Sequence, residues 1–322
     1  MSGLADEFWT HIQQSPEGGE RIAFPDRALA PGFASFAVFA LEKDGAAPDV
    51  NLAQNNLDNQ AAEVLAAGLA LNTSVTALNL AENRIGIQGV QGFAEALVQN
   101  RTLHSLNFTR NRLGDQAART FAAALEKNST LTTINLAGNR IGEDGAHHLA
   151  AVLLKNAAVT TLVLTGNSIG ADGATRLAAA LESNGTLTTI DLANTGIGLK
   201  GGRSIAVALQ KNKSLTSINL AGNDVGDLMA ARLASALEKH PALTAVNLAG
   251  NKIGCDASGS IARALATSTT LATFNLAENA IDDKCAKILA VAFEKNKTLT
   301  TISLDGNCIG WEGASCVAAA LE

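Results

Sequence analysis

The sequence contains no tyrosine, and aromatic residues make up only 4% of it. Ten phenylalanines and two tryptophans cannot fill the interior of 322 residues, so the core is expected to be aliphatic and alanine-rich. Proline is scarce as well: four of the five lie within the first 48 residues, leaving only Pro241 beyond them. Charged residues are 17% against 47% hydrophobic, a balance that excludes general disorder. No run approaches the roughly 20 apolar residues needed to span a bilayer, so no membrane association is expected. A formal net charge of −6 disfavours general binding to nucleic acid or to an anionic surface. The opening MSGLADEFWTHIQQ has neither a basic start nor an apolar run and does not read as a secretory signal. Cysteine is limited to Cys255, Cys285, Cys308 and Cys316, whose spacings fit neither a zinc motif nor a repeated disulfide frame. Reduced, partly buried thiols and a cytoplasmic setting are the expectation.

What the chain has in abundance is self-similarity. From Ala47 onward it divides into ten successive 28-residue blocks without insertion or deletion, the last four residues short. The blocks start at Ala47, Val75, Leu103, Leu131, Val159, Leu187, Leu215, Leu243, Leu271 and Leu299. A fixed period of this length marks a stacked repeat rather than a set of independent domains. The fourth block, LTTINLAGNRIGEDGAHHLAAVLLKNAA, shows the pattern most fully. Over Thr133–Ala137 apolar and polar residues alternate at period two, which predicts a short half-buried strand. Asn139 follows, and nine of ten blocks carry Asn at that place. A turning backbone leaves inward N–H and C=O groups unpaired, and a buried side-chain amide can both donate to and accept from them.

The second half of each block has a helical period: Ala146, Leu149, Ala150 and Leu153 share one face. The Ala150 place is alanine in all ten blocks, which lets each helix lie close to its strand and its neighbours. Asp144 is the expected N-cap, and Asn156 is expected to end the helix in the left-handed conformation. Seven Asn-x-Ser/Thr sequons, among them Asn72, Asn128 and Asn184, are generated by the repeat itself and are discounted as glycosylation sites.

One strand and one helix per block, stacked in parallel, give a right-handed α/β solenoid. Strands pack about 4.8 Å apart and helices about 10 Å, so the parallel sheet is expected to be concave and the helices convex, a horseshoe. The run LxxLxLxxN-x-(I/L)-G-x-x-G-A-x-x-L-A-x-x-L resembles leucine-rich repeats of the ribonuclease-inhibitor-like subfamily. Those include ribonuclease inhibitor, the sensor arrays of NOD-like receptors and the Ran GTPase-activating protein. The Gly-Ala-x-x-Leu-Ala element at Gly145–Ala150 and Gly173–Ala178 is also similar to repeats of bacterial effectors delivered into host cells. The resemblance implies a protein-binding horseshoe, with an effector or sensor role as its sharpest form. Ribonuclease inhibitor alternates two repeat lengths and uses Cys at many ladder places. This chain keeps one length and uses Asn, so no ligand is carried over.

Residues 1–46 depart from the repeat. Leu4, Phe8 and Ile12, with Trp9 beside them, read as a helical stripe that Pro16 to Gly19 breaks. Residues 19–46 align with the repeat frame through Ile22, Phe24, Leu29 and Leu41, with Phe36 and Phe39 thickening the last helix. They read as a degenerate block capping one continuous solenoid over 47–322. At the other end the tenth block closes without a polar terminal block, which leaves Ile309, Val317 and Leu321 exposed and allows end-to-end self-association.

Two groups of residues depart from the consensus at places expected to be exposed. Arg84, Arg112 and Arg140 hold the same turn position in consecutive blocks, with Arg110 beside them. A column of guanidinium groups suits carboxylate or phosphate recognition, or is a solvated rim screened by Glu82, Glu143 and Asp144. On the strand face, small and neutral with a central Asn stripe, Val163 and Asp191 break the pattern, and Thr195 breaks the Asn ladder nearby. These places are the candidates for a specific protein contact. The five histidines are scattered over different places, and no phosphate loop, nucleophile elbow or metal spacing appears. The expected function is therefore a non-catalytic, cofactor-free scaffold for a protein partner. The alternative is a regulator that accelerates GTP hydrolysis by a small GTPase, as the resemblance to the Ran GTPase-activating protein implies.

Overall fold

The computed structural model describes residues 49–321 together with the strands Ile12–Gln14 and Glu20–Ala23. The chain divides into two compact units, Met1–Val163 and Leu164–Glu322. In the first, strands β1 (Ile12–Gln14), β2 (Glu20–Ala23), β3 (Asp49–Asn51), β4 (Ala77–Asn79), β5 (Ser105–Asn107), β6 (Thr133–Asn135) and β7 (Thr161–Val163) are accompanied by helices α1 (Asn59–Leu71), α2 (Ile87–Gln99), α3 (Gly114–Leu125) and α4 (Glu143–Leu153). The second begins with α5 (Gly170–Ser183). It continues through β8 (Thr189–Asp191), α6 (Gly198–Lys211), β9 (Ser217–Asn219), α7 (Gly226–Leu237), β10 (Ala245–Asn247), α8 (Cys255–Thr267), β11 (Thr273–Asn275), α9 (Asp283–Lys295), β12 (Thr301–Ser303) and α10 (Trp311–Leu321).

Within each unit consecutive repeats pair in parallel, residue for residue one period apart: Leu78 lies opposite Leu106, Ile134 opposite Leu162, and Ile218 opposite Val246. The sheet is open and its strands alternate with helices, the α/β solenoid that the period predicts. From β3 to β11 each strand is three residues long, with its central residue buried and its flanks largely half-exposed, so helices cover one face of the sheet only. Towards the N-terminus β1 pairs antiparallel with β2, and β2 pairs parallel with β3, setting Ile22 opposite Val50. Ile12, expected at the end of a helical stripe, is in the extended β1 backbone. Leu4, Phe8, Trp9, Phe24, Leu29, Phe36, Phe39 and Leu41 lie outside the described residues.

The core is aliphatic, as the composition requires, with alanines of the Ala150 column buried in eight of ten repeats. One aromatic knot departs from this. In the first unit the rings of Phe93, Phe108 and Phe121 meet edge to face at centroid distances of 5.3 and 6.2 Å.

Asn139 and its counterparts form the expected ladder, and the bonds run backward to the preceding repeat. Asn139 Nδ2 donates to Phe108 O (2.8 Å) and to its own Leu136 O (3.0 Å), while its Oδ1 accepts Asn111 N–H (3.1 Å). Asn223 repeats this in the second unit, reaching Leu192 O at 2.7 Å. Thr195 fills the column with a hydroxyl that donates to its own Leu192 O at 2.5 Å.

A second amide ladder runs through the Asn156 column, and it corrects the role expected for that residue. Asn156 is not left-handed. Its Nδ2 donates to Leu125 O (2.7 Å) and Asn128 O (3.1 Å) of the preceding repeat, and its Oδ1 accepts the N–H groups of Ala158 and Val159 (both 2.9 Å). Asn72, Asn100, Asn128, Asn184 and Asn212 are buried in the same column, which accounts for most of the sequons.

The helix starts need a second correction. Gly142, not Asp144, is the N-cap of α4, and it has no side chain with which to cap. Asp115 of the preceding repeat does the work: its Oδ1 accepts Gly142 N–H (2.6 Å) and Gly145 N–H (3.0 Å). A Cβ on Gly145 would sit 2.6 Å from that oxygen, so the glycine is needed for the close approach.

His240 takes the place of Asn in the second ladder. Its Nδ1 accepts Leu243 N–H (3.1 Å) and Ala242 N–H (3.3 Å), which requires the neutral ring, and its buried Nε2 has no partner among the described residues. Burial holds its pKa below the ordinary histidine value of about 6.5. A lowered folded-state pKa means that the unfolded chain binds more protons below that value. Stability is therefore full above about pH 6.5 and falls as the pH drops towards the folded pKa. Thermal melts at pH 7.5 and pH 5.5 are expected to show His240→Asn losing less stability on acidification than the wild type. An equal loss in both would contradict this account of His240.

Candidate functional site

The turn after each strand is held by the Asn139 ladder, so the next side chain projects from a fixed backbone. Arg84 N–H donates to Leu57 O (2.8 Å) and Arg112 N–H to Ile85 O (2.9 Å), each across to the preceding repeat. Arg140 adopts a left-handed φ of 60° at the same turn. The parallel register of β4, β5 and β6 thus places Arg84, Arg112 and Arg140 at equivalent turn positions of consecutive repeats on one rim of the first unit, all exposed. Among the described residues no carboxylate lies within ion-pair distance of any of the three.

Arg110 is in a different state. It lies in the neighbouring turn column, which is glycine in five repeats, and takes a φ of 53°. A left-handed non-glycine residue costs roughly 1–2 kcal/mol. Its guanidinium pairs with Glu82 at 3.1 Å, and the other Glu82 oxygen accepts Gln54 Nε2 at 3.1 Å. Glu82 is itself left-handed, with φ 56°. Arg110 is therefore compensated, whereas the neighbouring arginine column is not. In the second unit the same column holds Asp224 and Lys252, which pair with each other at 2.9 Å.

The two strand-face departures fall in different units. Val163 ends β7, opposite Asn135, and is half-exposed. Asp191 ends β8. Its Oδ1 accepts Ala193 N–H (2.9 Å) and the Thr165 hydroxyl (2.5 Å), and its Oδ2 accepts Asn219 Nδ2 (3.0 Å). Asn79, Asn135 and Asn247 accept the corresponding N–H two residues on, so Asp191 keeps the structural task of its column and adds two inter-repeat bonds. Around it Thr189, Ser217, Asn219, Asn247 and Asn275 line a shallow hollow of about 300 Å³ with no other titratable group.

Sequence reasoning missed one constellation. Cys255 and Cys285 are joined by a disulfide, which corrects the expectation of four reduced thiols; Cys308 and Cys316 are free. The pair is 30 residues apart, one repeat and two residues, so the signal was an adjacency between columns rather than a spacing motif.

A family model described as leucine-rich repeat matches residues 71–94, 99–122, 127–150, 155–178, 183–206, 211–228 and 295–318, together just over half of the chain. No curated protein matches the sequence. Among solved structures, the complex of Rad7 and Elc1 in yeast matches with a TM-score of 0.53 at 16% identity, over 91% of this chain and 78% of that one, a likeness of fold. The actin-binding site 2 of leiomodin-1 matches at 27% identity with a TM-score of 0.34, over 36% of this chain and 68% of that one. Among the described residues no helix is long and apolar enough to cross a membrane.

Proposed function

Because the chain belongs to the leucine-rich repeat family, we propose that it is a non-catalytic scaffold that binds a protein partner, with the rim at Arg84, Arg112 and Arg140 as the principal contact. The observation that carries this reading is the uncompensated guanidinium column. Three exposed cations at neighbouring turns have no carboxylate partner among the described residues, while the adjacent Arg110 and the second unit's Lys252 are each paired. The chemistry that fits the column is an acidic segment whose carboxylates recur along an extended backbone, each able to accept a bidentate fork. A net charge of −6 over the whole chain argues against nucleic acid as the partner, since repulsion outside the rim opposes a long polyanion. Val163 on the strand face of the first unit and Asp191 on that of the second are further candidate contacts, each taken by itself. The LxxLxLxxN run followed by the Gly-Ala-x-x-Leu-Ala element supports membership of the ribonuclease-inhibitor-like subfamily, and we place the protein in a cytosol as an effector or sensor, where Cys255 and Cys285 would be reduced.

The test is a pull-down from native cytosol followed by titration of the captured partner against wild type and the Arg84→Glu/Arg112→Glu/Arg140→Glu variant. The exposed side chains leave the fold unchanged, and binding is expected to weaken by about tenfold or more, with a steeper salt dependence for the wild type. A partner retained at full affinity overturns the rim reading. Acceleration of GTP hydrolysis by a captured small GTPase would replace the scaffold with the regulator.

A second contact in this proposal is end-to-end self-association through the tenth repeat. Trp311 is 79% and Leu321 60% exposed, and Ile302, Leu304, Ile309 and Val317 are half-exposed. Light scattering is expected to show mass rising with concentration, and a constant monomer mass would remove this contact.

A further inference from the structure

At several interfaces between repeats a single acceptor on one repeat caps the helix of the next. Asp115 binds the N–H groups of Gly142 and Gly145, Asp227 those of Gly254 (2.8 Å) and Ala257 (3.1 Å), and Asp283 those of Gly310 (2.7 Å) and Gly313 (2.8 Å). Asn59 does the same for Gly86 and Gly89. The junction between the eighth and ninth repeats is built differently at all three places. Cys255 replaces the capping acceptor, Asp282 stands where glycine stands in eight repeats, and Cys285 takes the second receiving place. Asp282 caps its own helix instead, accepting Cys285 N–H at 2.9 Å. That leaves the Cys255 side chain with no capping task and turns it towards its neighbours.

The three departures converge on one point. The sulfurs of Cys255 and Cys285 are bonded, Asp282 Oδ1 lies 3.0 Å from Cys255 Sγ, and a ligand atom from each of the three residues lies within 4.8 Å of the others. A disulfide sulfur has no proton to donate, so the short contact becomes a hydrogen bond only when the pair is reduced. Two thiolates and one carboxylate at this separation are a donor set for a tetrahedral ion, with metal–sulfur bonds of about 2.3 Å and a metal–oxygen bond of about 2.0–2.2 Å. Cys285 is fully buried, Cys255 half-buried and Asp282 exposed, so protein closes one side and solvent reaches the other. We propose that Cys255, Asp282 and Cys285 form a redox-gated site for a thiophilic divalent cation of the zinc class, with water as the fourth ligand.

The gate is the sulfur–sulfur bond. A small-molecule thiol reductant donates two electrons and two protons, breaking that bond into two thiols and itself leaving as a disulfide. The divalent ion then forms two bonds to sulfur and one to the Asp282 carboxylate, and the two thiol protons pass to solvent. An oxidising disulfide in solution reverses the sequence: it takes two electrons, the protein disulfide re-forms and the ion is released. The eighth and ninth repeats stay pinned together in both states, by a covalent bond in one and by the ion in the other.

The test uses the full chain with cobalt(II) as the probe. The chain is reduced with a phosphine under anaerobic conditions, titrated with cobalt(II), and followed by sulfur-to-cobalt charge-transfer absorption. The reduced chain is expected to bind one equivalent with a thiolate band that zinc(II) bleaches, and the oxidised chain to show no band. Cys255→Ser and Cys285→Ser should each weaken binding at least tenfold and diminish the band. Asp282→Asn keeps the capping acceptor, because Asn is as good an N-cap as Asp, so it should leave the fold intact, retain the band and bind at least tenfold more weakly. The double variant Cys308→Ser/Cys316→Ser should bind as the wild type does. Circular dichroism confirms that each variant is folded, and the half-buried Cys255 makes its variant the mildest. A reduced chain without a stoichiometric band, an oxidised chain that binds equally, or a band abolished by the Cys308/Cys316 variant would overturn the assignment.

Discussion

A parallel stack of short strands has to turn its backbone after three residues, and every such turn points unpaired N–H and C=O groups into an apolar interior. Left unpaired, each would cost about 1–3 kcal/mol. The side-chain amide of Asn resolves this because it presents a donor and an acceptor together. Asn83, Asn111, Asn139, Asn223, Asn251 and Asn279 bind backward onto the strand end of the preceding repeat and onto their own. The same solution appears a second time at the helix-to-strand turn, in the Asn156 column. Two amide ladders fix the register of the stack. The alanine column and the leucines then need only to fill the space between sheet and helices.

That arrangement also decides where function can lie. Residues that recur serve the stack; residues that depart from their column and face solvent are free to do something else. The rim arginines are departures of this kind, and the Cys255–Asp282–Cys285 junction is a departure that opens to solvent on one side only, at Asp282. Arg110 and Asp191 show that departure alone is not enough. Each breaks its column, yet Glu82 neutralises the first, and Thr165, Ala193 and Asn219 satisfy the second.

The sequence carried the architecture because period, strand alternation, the Asn139 column and the Ala150 column are local patterns. It misassigned what depends on contacts between neighbouring repeats. Asp144 has the right chemistry at the right place for an N-cap, but the oxygen that caps α4 comes from Asp115, 27 residues before Gly142. The Asn156 column looked like a helix terminator because a single repeat shows only the turn, not the carbonyls of Leu125 and Asn128 that its amide reaches. The Cys255–Cys285 bond was hidden for the same reason: both residues look unremarkable until adjacent repeats are superposed. Of the rim, the column of Arg84, Arg112 and Arg140 was legible from the period. The pairing of Arg110 with Glu82 depends on side-chain geometry that no spacing encodes.

The claim that amide ladders hold this stack is tested most directly where a rung is missing. Thr195 carries a hydroxyl that reaches Leu192 O, while Asn at the same place in other repeats also reaches the strand end of the preceding repeat. Replacing Thr195 by Asn should complete the rung to Leu164 O and raise the free energy of unfolding in urea by about 0.5–1.5 kcal/mol. A variant no more stable than the wild type, or less stable, would contradict the ladder as the interaction on which the rest depends.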